Sequence, residues 1–324
     1  MHKALPPFVK GLGHGIHAID TGFHRQRFDA AYLIVQGGRA AFIDTGTNFA
    51  VPRLLDALGA LGLAADAVDF VIPTHVHLDH AGGVGRLLPH LPRACVWVHP
   101  RGARHLIDPQ LLWAGASAVY GSEDMLRTYG ELMPVPADRV CISSDGMSLE
   151  LAGRPLMLAH TPGHAQHHHC VWDAESRGWF TGDTFGLSYR EFDTARGPWI
   201  MPTSTPVQFE PELLKASLQR LLAFDPACMY LTHFSRVGDV QRLGRLLLSL
   251  LDELVALART LQQAPQRHQA LQRGQLEIFT RSLREHGCRH SPQQIAELLA
   301  MDLELNAQGL ALWLDRRYPG LEPG

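Results

Sequence analysis

Four side chains able to bind a metal stand within six residues, in the run Thr74-His-Val-His-Leu-Asp-His80. The apolar stretch 68–73 before it reads as a buried strand, and 81–88 after it reads as the start of a helix. In extended backbone, side chains two apart point the same way, so His75 and His77 face one point in space. Asp79 and His80 fall where the chain turns into the helix, and face a second point nearby. Imidazole with carboxylate and no thiolate suits zinc, iron, manganese or nickel.

His-x-His-x-Asp-His after a strand resembles the signature of the metallo-β-lactamase superfamily. That resemblance implies three further ligands, one at each of three later strand ends. Thr161-Pro-Gly-His164 follows the apolar run 155–159. Phe180-Thr-Gly-Asp183 closes a hairpin-like pair, 171–172 with 178–180. Leu231-Thr-His233 follows the run 227–231. All three arrive in the family's order. By this resemblance His75, His77 and His164 hold one metal, Asp79, His80 and His233 hold a second, and Asp183 bridges them. The implied cofactor is two divalent ions, zinc foremost, with iron or manganese as alternatives. The implied fold is a four-layer αβ/βα sandwich with an α-helical C-terminal domain, where periodicity alone gives α/β with a mixed sheet.

Supporting residues follow from the same resemblance. Asp44, in Ile43-Asp-Thr-Gly-Thr47, matches an aspartate that orients a ligand imidazole; the other reading is a turn-forming Asp before Gly46. The pattern Thr-Pro-Gly-His-x-x-x-His places His168 near the site without ligating, while His167 and His169 read as strand-face positions. His14, His17, His24, His99, His105 and His160 have no register with the motif. The segments 185–193 and 198–206 follow Asp183 and must begin beside the metals. Tyr189 and Arg190 are the candidates there to hydrogen-bond a substrate, and Phe192 and Trp199 to form an apolar wall. Otherwise the segment is a long connection tied down by its own aromatics.

Two metals ~3.5–4 Å apart can share a hydroxide, because each lowers the pKa of bound water toward ~7. Asp79 and Asp183 are the catalytic candidates, the first as ligand and proton acceptor, the second as the bridge that fixes the spacing. Hydrolysis is the reaction class, with a small-molecule carboxylic thioester, ester or lactone as substrate. Glyoxalase II-like thioesterases share these motifs and a helical C-terminal region, and quorum-signal lactonases share the seven ligands. The alternatives are a mononuclear iron persulfide dioxygenase, a phosphodiesterase of the same fold, and a binding protein with little turnover.

The remainder of the chain must position this set. Its 324 residues and 46% hydrophobic content allow a large domain and an appendage. A net charge of −3 offers no basic field for nucleic acid. No apolar run reaches the length of a membrane span, and the N-terminus lacks a signal-peptide core. Five unpatterned cysteines suit a reducing compartment, so the cytoplasm is expected. Residues 31–35 and 40–44 around Gly37-Gly38 read as a hairpin, and 51–58 as a helix with Pro52 in its first turn. After Gly238 leucines recur at helical spacing, and Ser291-Pro292-Gln-Gln294 reads as a capping box. The expected domains are a catalytic 1–238 and a helical 239–324, the latter either shaping substrate entry or burying apolar surface. A homodimer is one assembly that would cover its leucine-rich faces.

Overall fold

A computed structural model describes residues 4–205 and 207–318. By contacts the chain divides into two compact units. The first takes Met1–His160, His167–Gly182 and Pro226–Gly238; the second takes Thr161–Gln166, Asp183–Asp225 and Asp239–Gly324. Gly238 is thus one boundary between the units, and two earlier segments, 161–166 and 183–225, also cluster with the helical tail.

The first unit holds two sheets. One has seven strands in chain order: β1 (Val9–Gly13), β2 (Ile16–Asp20), β3 (Ala30–Gln36), β4 (Arg39–Ile43), β5 (Val68–Ile72), β6 (Cys95–Val98) and β7 (Val140–Ile142). β1 to β4 run antiparallel, with the expected hairpin at Gly37-Gly38, and β4 to β7 run parallel. Parallel neighbours need crossovers. These are supplied by α1 (Val51–Ala60), by α2 (Leu78–Ala81) with α3 (Val84–Leu87), and by α4 (Pro100–Ile107), α5 (Gln110–Tyr120) and α6 (Ser122–Tyr129). The second sheet comprises β8 (Met147–Leu151), β9 (Arg154–His160), β10 (His169–Asp173), β11 (Gly178–Gly182), β12 (Cys228–Leu231) and β13 (Ser235–Val237).

Register aligns the strand ends from which the motif residues emerge. Ile43 pairs with Ile72, so Asp44 and the Thr74–His80 run leave neighbouring strands together. Gly182 pairs with Leu231, which sets the chain entering Asp183 beside the chain entering His233. His160 pairs with His169, bracketing the segment that carries His164.

Both faces of the first sheet are covered, so β3 is a continuous apolar run rather than an alternating one. Tyr32 and Ile34 pack with Leu156, Leu158, Phe180 and Tyr230 of the second sheet. Leu33, Phe42 and Val71 pack with Leu54, Leu58, Val84 and Leu87 on the helical side. The Tyr32 hydroxyl donates to the Leu231 carbonyl, tying one sheet to the other. The helix after the histidine run begins at Leu78, earlier than periodicity indicates, and breaks at Gly82-Gly83. There the Gly83 N–H donates to the Gly46 carbonyl (2.8 Å) instead of continuing a helical ladder.

In the second unit lie α7 (Pro211–Leu222), α8 (Val240–Thr260), α9 (Arg267–Glu285), α10 (Pro292–Leu298) and α11 (Ala300–Arg317). The leucines of α8 at 243, 247, 250, 251 and 254 form its buried stripe. At α10 the capping box is complete, with Ser291 Oγ accepting from Gln294 N (3.2 Å) and Gln294 Oε1 from Ser291 N (2.8 Å). No described helix is long and apolar enough to cross a membrane.

Candidate metal centre

Three of the expected ligands meet in the first unit. One donor atom from each of Asp79, His80 and His233 lies within 4.8 Å of the others. The tautomers follow from what holds the far side of each ring. His80 Nδ1 is 2.9 Å from Asp44 Oδ2, and His233 Nδ1 is 3.0 Å from the Phe28 carbonyl oxygen. Both partners only accept, so each Nδ1 carries the proton and each Nε2 keeps its lone pair. Those lone pairs face Asp79 Oδ2, at 3.7 Å from His80 Nε2 and 3.4 Å from His233 Nε2. Three electron-pair donors converging with no proton among them repel one another unless a cation stands between them. The donor set fits a divalent metal.

Asp44 is the hub beneath this cluster. Its side chain is 1% exposed, and it accepts from Thr74 N (2.7 Å), Thr74 Oγ1 (3.1 Å) and Thr232 Oγ1 (2.8 Å) as well as facing His80. It takes a left-handed φ of +56°, a conformation Asp and Asn tolerate better than most residues. The carboxylate thus fixes the loop of one strand end to that of another while orienting an imidazole.

His75 and His77 deliver ring nitrogens to a common point, with Nε2 and Nδ1 2.8 Å apart. Thr74 Oγ1 lies 3.2 Å from the other nitrogen of His75. The His167–His169 triplet divides its roles. His168 is buried and stacks on His75 at 4.7 Å between ring centroids, near the site. His169 donates from Nε2 to the Pro73 carbonyl (2.9 Å) and accepts at Nδ1 from Ser143 Oγ (3.0 Å), pinning β10 to the start of the histidine loop. Burial brings its pKa down to about 3. His167 lies beside His77 at 5.6 Å between ring centroids, and burial, reinforced by His77, brings it down to about 2.

Gly182 is dictated by this packing. At its φ of +46° a Cβ would lie 2.5 Å from Thr74 Oγ1 and 2.6 Å from His168 Nε2. Only glycine lets the chain reach the following residue, Asp183, at that point.

In the second unit His164 Nε2 is 3.4 Å from Asp183 Oδ2, and Thr205 Oγ1 is 3.3 Å from the same nitrogen. His164 and Asp183 are 1% and 5% exposed. Tyr189 is buried and donates its hydroxyl to Asp302 (3.0 Å), and Arg190 Nε donates to the Ser188 carbonyl (3.1 Å). Phe192 and Trp199 are buried against each other at 5.5 Å between ring centroids.

Several residues of this neighbourhood carry no sequence signal of their own. Phe28 contributes a backbone carbonyl, and its ring packs on His233 at 5.4 Å between centroids. Asp29 is fully buried, and burial lifts its carboxyl to about 7 against the lowering effect of His233. Thr74 and Thr232 each precede a motif histidine, and that adjacency is the one signal that could have found them.

The chain belongs to the metallo-β-lactamase superfamily, whose model matches residues 25–233. Its fold class is that family's α/β sandwich of two mixed sheets with a C-terminal helical extension. It is 27% identical over 224 residues to the metallo-β-lactamase fold-containing protein ST1585 of Sulfurisphaera tokodaii, covering 68% of this chain and 78% of that one. The crystal structure of ST1585 matches with a TM-score of 0.58 at 24% identity, over 84% of this chain and 99% of that one. An atrochrysone carboxyl ACP thioesterase of Aspergillus fumigatus is 31% identical over 156 residues, 47% of this chain and 38% of the thioesterase. A hydroxyacylglutathione hydrolase of Aeromonas hydrophila is 31% identical over 204 residues, 62% of this chain and 59% of that enzyme. The chain thus spans less than two thirds of either hydrolase.

Proposed function

We propose that the protein is a dinuclear metallohydrolase acting on a carboxylic thioester, ester or lactone. In this reading His75, His77, His164 and Asp183 hold one divalent ion, and Asp79, His80 and His233, which converge within the first unit, hold the other. Asp183 would be the carboxylate shared between them. The observation that carries the proposal is the convergence of His80 Nε2 and His233 Nε2 on Asp79 Oδ2, with the far side of each ring held by an acceptor. The thioester preference draws on two relatives of this family, one named as a thioesterase and one as a hydroxyacylglutathione hydrolase.

The ions, when bound, supply activated water and Lewis acidity toward an acyl oxygen. The remaining work belongs to the chain. Asp44 and the Phe28 carbonyl keep the Nδ1 proton on His80 and His233, which holds their Nε2 atoms available to ligate. Asp79, with its side chain 24% exposed, can take a proton at its carboxylate and return it to solvent. Asp183, nearly buried, would supply a negative charge to offset repulsion between the ions.

The test is a panel of acyl thioesters, lactones and phosphodiesters assayed with metal-replete protein, with oxygen uptake on glutathione persulfide as a separate arm. Hydrolysis of the acyl substrates, lost on chelation and restored by zinc, iron or manganese, is the expected result. Oxygen uptake without acyl hydrolysis would move the protein to the dioxygenase class, and phosphodiester cleavage alone to the phosphodiesterases.

A further inference from the structure

We infer that the Thr205 hydroxyl is a further hydrogen-bond donor to the acyl substrate, and that Asn306 of α11 is the residue that positions it. The inference rests on the hydrolase reading above and adds to it a residue outside the metal-binding motifs. The strap before Thr205 is locked to α11 at three points. Asn306, 1% exposed, accepts at Oδ1 from Ser204 N (2.6 Å) and donates from Nδ2 to the Pro202 carbonyl (3.4 Å). Its own carbonyl accepts from Ser204 Oγ (3.2 Å).

One helical turn on, Gly309 lets the strap backbone lie directly on the helix, since a Cβ there would sit 1.3 Å from the Ser204 carbonyl oxygen. An asparagine buried in a helix interior with both ends of its amide spent on one segment fixes that segment's path. The residue so delivered is Thr205.

The Thr205 hydroxyl oxygen is 3.3 Å from His164 Nε2 and 3.5 Å from Nδ1, nearly equidistant, so it is directed squarely at neither ring nitrogen. His164 Nε2 also faces Asp183 Oδ2 at 3.4 Å. Thr205 is partly exposed, whereas Met201, Pro202, Thr203 and Ser204 before it are buried. A hydroxyl held beside this pair, on a partly exposed residue, can donate to the acyl oxygen as negative charge develops on it, without itself being consumed. A flexible loop would lose that benefit to reorganisation; the Asn306 clamp supplies the rigidity.

The variants are Thr205→Val, which keeps shape and removes the hydroxyl, Thr205→Ser, which restores it, and Asn306→Ala, alone and combined with Thr205→Val. They are measured on full-length, metal-loaded protein. Metal stoichiometry and chelator-competition affinity are determined in parallel with kcat and KM. Thr205→Val is expected to lower kcat by ~10–100-fold with KM, stoichiometry and metal affinity within about threefold of wild type. Thr205→Ser should recover most of the loss. Asn306→Ala should lower kcat, and the double variant should be little worse than Thr205→Val, since both act through one hydroxyl. If Asn306→Ala does not fold, the two Thr205 variants decide.

Wild-type kcat in Thr205→Val would overturn the inference. So would a loss that excess metal restores, because the hydroxyl would then serve His164 rather than substrate. Wild-type protein with two ions and no acyl hydrolysis would overturn the hydrolase reading itself, and this inference with it.

Discussion

Replacing Asp44 with Asn isolates the charge that organises the second group of ligands. Asn is nearly isosteric and tolerates the left-handed φ of +56° that Asp44 adopts, so backbone strain is not added. Its amide oxygen can still accept from Thr74 N, now 2.7 Å from Oδ1. Its NH2 then occupies the place of Oδ2 and confronts His80 Nδ1 (2.9 Å), Thr232 Oγ1 (2.8 Å) and Thr74 Oγ1 (3.1 Å). The two hydroxyls can rotate and accept. The imidazole can accept only by moving its proton to Nε2, which removes the lone pair that faces Asp79. Holding the original tautomer instead leaves two donors opposed at a buried position. Either course forfeits a charge-assisted hydrogen bond worth ~1.5–3 kcal/mol, which corresponds to roughly 10–100-fold in affinity for the ion bound by Asp79, His80 and His233. Chelator competition on wild type and Asp44→Asn, with thermal melts of both metal-free proteins, measures this. Two binding steps should be seen, with one weakened by that factor. Affinities within threefold at both steps, in a variant that folds normally, would refute the role assigned to Asp44.

Asp183→Asn should leave the melting temperature of metal-free protein nearly unchanged. On the proposed dinuclear reading, metal per chain should fall and hydrolysis should drop at least ~10-fold, because the ions would lose an anionic ligand; metal analysis with the substrate panel checks it. Gly182→Ala forces a Cβ into Thr74 and His168 at a left-handed φ. It should destabilise the metal-free protein by ~1–3 kcal/mol by urea denaturation, with native stability counting against the packing described. His169 gives a pH prediction. Its folded pKa, about 3, lies below the ordinary histidine value, so below pH ~6.5 the unfolded chain binds a proton that the folded chain does not. Stability therefore falls as pH drops from ~6.5 toward 3, and this residue alone accounts for ~2 kcal/mol at pH 5. His169→Gln should be less stable at pH 7 yet show a shallower decline in urea midpoint between pH 7 and 5, and an unchanged slope would contradict the assignment.

The motif was legible because its ligands leave the chain at strand ends, where local apolar runs announce the strand and the polar residues after it stand out. Asp44, His80 and His233 were singled out that way, and the sheet register brings together the strand ends that carry them. The hairpin at Gly37-Gly38 and the capping box at Ser291 were equally local. What stayed hidden depends on contacts that no nearby pattern encodes. The Phe28 carbonyl that sets the His233 tautomer is a backbone atom of an unremarkable residue. Thr205 acquires its place from Asn306, about a hundred residues later, through hydrogen bonds whose partners have no spacing rule. Helix α2 starts earlier than periodicity indicates, because the ligand-bearing turn itself is helical. The grouping of 161–166 and 183–225 with the tail was hidden because composition changes only at 238, while packing draws on segments on both sides of it.

The central claim, that paired metals held by these seven side chains drive acyl hydrolysis, is tested most directly by titrating metal-free protein with zinc while following hydrolysis of the best thioester or lactone. Activity should remain low through the first equivalent, rise with the second, and saturate at two ions per chain. Saturation at one ion per chain, or two bound ions with no hydrolysis of any acyl substrate, would contradict it.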